Sequence, residues 1–118
     1  MREIILAVTV DGSGDGTTTT TESVLGKVYA VQLVDGTIAD GVDITITCEQ
    51  GSLSIPVLVK ANFNTDQIVY PRVLEALNTD GTDLGTHTEP LANGYLKAVV
   101  AQGGVSKSGA FHVYIDEE

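Results

Sequence analysis

Apolar and polar residues alternate along most of this chain, the period of an extended strand with one buried face. Residues 2–10 place Ile4, Leu6, Val8 and Val10 on one side and Glu3, Ile5, Ala7 and Thr9 on the other. The alternation is clearest over 42–49, where Val42, Ile44, Ile46 and Cys48 face inward and Asp43, Thr45, Thr47 and Glu49 face water. Further strands are predicted at 27–36, 53–60, 67–71, 95–102 and 110–115. Pro56 has no N–H to give a ladder, which assigns 53–60 to an edge or to a bulged position. The run Thr17–Thr21 is β-branched and suits an edge strand or an extended loop.

Turn residues separate these runs. DGSGDG at 11–16, the Asp-Gly pairs at 35, 40 and 80, and Gly51 supply positive φ and side-chain caps for tight turns. GGVSKSG, between 95–102 and 110–115, predicts the strongest hairpin of the chain. Residues 72–78 alone show helical spacing, with Val73, Leu74 and Leu77 on one side of about two turns, a length that is marginal in isolation. The pattern predicts an all-β, antiparallel β-sandwich or jelly-roll-like fold of about seven or eight short strands, with at most one short helix near 72–78. At 118 residues the chain fits a single β domain over 1–118.

Charge and composition narrow the function. The formal charge is −10, and the basic residues Arg2, Lys27, Lys60, Arg72, Lys97 and Lys107 are scattered singly. Such a surface has no basic patch to neutralise phosphates, so direct nucleic-acid binding and anionic lipid are disfavoured. Tryptophan is absent and aromatics make up 5% of the chain, which argues against a stacking platform for sugars or single strands. No apolar stretch approaches the ~20 residues needed to span a bilayer. The N-terminal run reads as a first strand and not as a signal peptide, because Glu3 interrupts it and no small-residue cleavage pattern follows. With Cys48 as the sole cysteine no intrachain disulfide can form, and a cytoplasm-like compartment of synthesis is expected.

Candidate chemistry is sparse. Asp11, Ser13, Asp15 and Glu22 fall at ligand positions of a calcium-loop template, with Gly16 near its turn. Against calcium, the flanks are strands, Ser13 stands where Asp or Asn is usual, and Thr18 replaces an apolar residue. A Gly/Asp turn explains the same residues without metal and is the preferred reading. His87 lies in the polar loop THTEP and His112 on a sheet face, Cys48 points inward, and Asp80 and Asp83 sit in a turn. None pairs into a nucleophile–base or zinc set. We expect no catalytic residue and no cofactor.

The segments TVDGSGDGT (9–17), GKVYAVQLVDGTIADGVDITIT (26–47), YPR (70–72) and LKAVVAQGGVSKSGAFHVYI (96–115) together resemble a group of small β-rich proteins encoded among the virion genes of tailed bacteriophages. The likeness covers nearly the whole chain and carries no active-site motif. It implies a capsid decoration (cement) protein, made in the host cytoplasm and bound as a dimer or trimer to the major capsid protein on the virion exterior. Readings that stay open are a neck, tail or other minor virion protein and, from another class, a small β module binding calcium or carbohydrate.

Overall fold

The computed structural model describes residues 1–76 and 83–117. They are all-β: ten strands and no helix. The strands are β1 (Arg2–Thr9), β2 (Gly16–Thr19), β3 (Val24–Val34), β4 (Val42–Gln50) and β5 (Leu53–Phe63). They continue with β6 (Gln67–Val69), β7 (Val73–Ala76), β8 (Asp83–Thr88), β9 (Leu91–Ala101) and β10 (Ser108–Glu117). Every pairing is antiparallel.

One layer runs β1-β10-β3-β6 and the other β2-β9-β4-β5, a sandwich-like arrangement of short-looped strands. The layers join where Val24–Lys27 of β3 pair with Gly94–Leu91 of β9. Beyond that point β9 leaves β3 and pairs with β4. Gly94 makes the corner: its φ is 142°, and a Cβ there would collide with the Glu49 carbonyl oxygen. Leu6 and Val8, Val31 and Leu33, Ile44 and Ile46, Leu96 and Val100, and Phe111 and Val113 fill the space between the layers. Among the described residues no polar or charged side chain is buried. The core therefore stands on apolar contact, and Asn93 N–H donates to the buried Cys48 Sγ (3.2 Å) at its margin.

The expected strands are present, with three differences. The helical spacing near 72–78 does not make a helix over 73–76, which is β7, paired through Val73↔Thr88 and Leu74↔His87; residues 77 and 78 lie outside the described residues. Two turns of helix gain little alone, whereas a ladder satisfies the same backbone groups. The strand count is also higher than expected, because β7 and β8 form a separate two-stranded sheet.

The third difference concerns 95–102 and 110–115, which do not form a hairpin. β10 lies between β1 and β3, while β9 lies in the other layer. The loop between them is held by distant partners: Gly103 N–H donates to Gly14 O (2.8 Å), Ala39 N–H to Gly103 O (3.0 Å) and Ser106 N–H to Asp11 O (3.2 Å). Those bonds carry the chain across the sandwich and outweigh the local turn signal. β5 is an edge strand with an irregularity opposite Ile46/Thr47, where Pro56 sits, as its sequence implies.

Ile46→Asp, which places a charge in this core, is expected to cost more than about 4 kcal/mol and leave the chain unfolded in urea-free buffer. Thr45→Asp, on the outer face of the same strand, is expected to keep the native circular dichroism spectrum.

Candidate functional site

The turn from β1 into β2 has to reverse direction and change layer within a few residues. Asp11 makes this possible. Its Oδ1 accepts the N–H groups of Ser13 (2.8 Å) and Asp15 (3.2 Å), and its own N–H donates to Asp15 O (2.9 Å). The bonds to Ser13 and then Asp15 hold the Asp11 carboxyl below the ordinary aspartate range. Gly14, at φ 81°, packs its backbone on Gly103 and Gly104. Asp11, Ser13 and Asp15 thus share one turn, but Glu22 does not join them. The extended strand β2 intervenes, at about 3.3 Å per residue, and Glu22 Oε2 pairs with Arg2 Nη2 at 3.2 Å. Among the described residues no three His, Cys, Asp or Glu side chains come together as a metal-binding group.

The remaining chemistry is dispersed. Cys48 is in the core, where burial pushes its thiol up. His112 lies on the outer face of the β1-β10-β3-β6 layer with Nδ1 3.3 Å from Glu3 Oε2. Beside it Tyr114 donates its hydroxyl to Gln32 Oε1 (3.2 Å), and the neighbouring Glu3 carboxylate holds the phenol above its ordinary range. His87 is exposed on β8, Asp83 opens that strand, and Asp80 lies outside the described residues.

Aspartates gather at the end of the sandwich that carries the β1–β2, β3–β4, β5–β6 and β9–β10 turns. Asp66 Oδ1 accepts Asp35 N–H (2.9 Å), Asn64 Oδ1 accepts Gly41 N–H (2.7 Å), and Asp43 Oδ1 accepts Asn62 N–H (3.2 Å). The Asp66 carboxyl beside the Asp35 side chain raises the Asp35 pKa, with Asp40 adding to it. These carboxylates cap loops.

A different surface forms where the chain leaves β6. Between β6 and β9 the free edge of β3 has a gap at residues 28–30, filled by the buried Pro71 and Pro90 segments. Pro90 O accepts Val28 N–H (2.9 Å), and Arg72 Nη1 donates to Tyr29 O (3.1 Å) and to Pro71 O (2.6 Å). The Arg72 guanidinium stands 5.9 Å from the Tyr29 ring centre, and Tyr70 meets Tyr29 edge-on at 5.7 Å. Both tyrosines are about half exposed, at 43% and 54%. The register Lys27↔Leu91 and Leu25↔Asn93 puts exposed Leu25 and Leu91 on the neighbouring outer face. Sequence pattern missed this patch. YPR is a visible tripeptide, but Tyr29 joins it only through the irregularity of β3 opposite Tyr114/Ile115.

Along the other side of the molecule, β1 and β2 flank a cleft of about 300 Å³ lined by Arg2, Ile4, Ile5, Leu6, Thr18–Glu22 and Val24. Compared with protein-family models, curated protein sequences and solved structures, the chain shows no significant match.

Two outcomes are expected at the loops. Millimolar calcium or EDTA leaves Tm unchanged, whereas Asp11→Ala lowers it at neutral pH. Asp11 has a depressed folded pKa, so its contribution is present above the unfolded value and is lost as pH falls through the folded one. The Tm gap between wild type and Asp11→Asn should therefore close in acid. A calcium-induced rise in Tm that Asp15→Ala abolishes would establish the metal loop instead.

Asp35 has the opposite sign. Its raised folded pKa makes the charged form unfavourable at neutral pH, and that penalty disappears as pH falls through the raised value. Asp35→Asn, which can donate permanently to Asp66, is expected to raise Tm at pH 7 and to lose that advantage in acid.

Proposed function

We propose that this chain is a virion structural protein, a decoration subunit that binds the outer surface of a tailed-phage capsid and braces it. The observation that carries the reading is the Leu25–Tyr29–Tyr70–Leu91 surface with Arg72, on a body of net charge −10. Exposed tyrosines with an ordered arginine have the composition of interface anchors: rigid apolar area with a polar tip. The resemblance noted in the sequence implies the major capsid protein as the partner and a dimer or trimer as the bound state.

Electrostatics supports the same place. A strongly acidic body is repelled by packaged DNA and is better tolerated outside the shell than in its lumen. The dispersed histidines and the buried thiol suit a non-catalytic role. Many weak contacts, repeated over a lattice, stabilise the shell without demanding a large interface from each copy.

Shells stripped of the protein should stay closed but release DNA at lower temperature. Adding purified protein should restore resistance and saturate at a fixed ratio to the major capsid subunit. Tyr70→Ala should weaken that binding by about 10- to 30-fold while leaving the fold intact. Labelled protein found in a few copies at the neck or tail would refute decoration.

A further inference from the structure

Strands β1 and β2 leave the Asp11–Asp15 turn next to each other, one in each layer, and form no ladder together. Near the turn they touch. Thr18 Oγ1 donates to Ala7 O (2.7 Å), and Gly16 lies so close to Thr9 that a Cβ would stand 2.7 Å from its carbonyl oxygen. Both carbonyls therefore face the seam. Along an antiparallel strand the N–H and C=O of one residue point to the same side and alternate residue by residue. Glu3 and Ile5, in phase with Ala7 and Thr9, thus turn their backbone groups to the seam, while Ile4 and Leu6 turn theirs to β10.

The phase of β2 follows in the same way. Thr20 N–H donates to Leu96 O (2.9 Å), so the backbone groups of its even residues face β9 and those of Thr17 and Thr19 point off its free edge, while the side chain of Thr18 reaches β1. Beyond Thr18 the cleft opens, with Ile4, Leu6 and Val24 among the residues lining it and Arg2–Glu22 bridging its mouth. That bridge is solvent-exposed, with side chains 41% and 77% accessible, and is weak enough to be displaced.

We propose that this seam is a strand-accepting slot, which takes an extended polypeptide segment of a partner protein along β1 between Arg2 and Ala7. The row of outward-turned backbone donors and acceptors defines the occupant, because alternating N–H and C=O groups at strand spacing are matched by another backbone in extended form. The aliphatic residues lining the cleft select aliphatic side chains at alternate positions of that segment. The charge of −10 favours basic residues at its ends. N–H groups of Glu3 and Ile5 donate to the segment's carbonyls, and their own carbonyls accept its N–H groups. The inference does not rest on the decoration reading.

The test uses a short synthetic peptide of alternating valine and threonine with lysine at both ends, and a version N-methylated at alternate amides. Amide hydrogen exchange by NMR on the full chain should show Glu3 and Ile5 unprotected alone and protected with the unmodified peptide. Ile5→Pro removes a seam-facing N–H without breaking the β10 ladder, and should weaken binding by at least about tenfold. The N-methylated peptide should fail likewise. Equal binding of both peptides, no binding of the unmodified one at about millimolar concentration, or protection in the free protein would each overturn the slot. Protection that rises with protein concentration alone would assign the seam to a second copy and overturn it too.

Discussion

Strand β3 belongs to both layers, and the rest of the structure depends on that sharing. Its first residues, Val24–Lys27, pair with β9, and Gly26–Val34 pair with β10. A strand committed to one layer would leave two sheets held by side chains alone. Shared in this way, β3 aligns the inward residues of β9 and β10 across a common core, so Leu96 and Val100 meet Phe111 and Val113. With no disulfide available and no buried polar network among the described residues, the register of these ladders and the apolar fill between them carry the stability. A slip of one residue in β3 would turn its apolar set outward.

The same sharing creates the exposed surfaces. Because β9 occupies only the first part of the free edge of β3 and β6 only a later part, a gap remains at residues 28–30. Two prolines and Arg72 close it, and the chain leaves and re-enters the sandwich there to make the separate β7–β8 sheet. The exposed tyrosines are a by-product of closing an edge that no ladder could complete. On the opposite side no strand bridges β1 and β2, and Thr18 gives a single side-chain bond where a ladder would give several.

Charge is distributed unevenly over this frame. Aspartates do two jobs at one end of the sandwich: Asp11, Asp43 and Asp66 cap backbone amides, and Asp35 tolerates a neighbouring carboxylate that raises its pKa. The first job explains why turn-rich sequence is also acidic sequence. The second is a local conflict, maintained because the Asp66 carboxylate is needed by the Asp35 amide. Both make the loop end repel anions, whereas the surface beside β6 carries an arginine and two half-exposed tyrosines.

Much of the fold was legible in the residues alone, because burial of one strand face writes itself as alternation. Val42, Ile44, Ile46 and Cys48 are buried as their alternation implies, Leu6, Val8 and Val10 share the one buried face it gives them, and Pro56 lies on an edge strand, for reasons local to each strand. The turn at 11–16 was likewise predictable, since Asp11 caps amides only two and four residues away. Partnership between strands was not legible. GGVSKSG has the composition of a hairpin, yet its amides bond to Gly14 and Asp11, remote in sequence and brought near by the two-layer packing. Val73–Ala76 carry a weak helical spacing that a ladder with β8 overrides. Tyr29, Tyr70 and Arg72 became a surface, and β1 and β2 a seam, only once the free edges were placed. Sequence determined which face of each strand is buried, a property of single side chains and water; tertiary structure decided which edges meet, because hydrogen bonds between distant strands depend on the whole sandwich closing around its core.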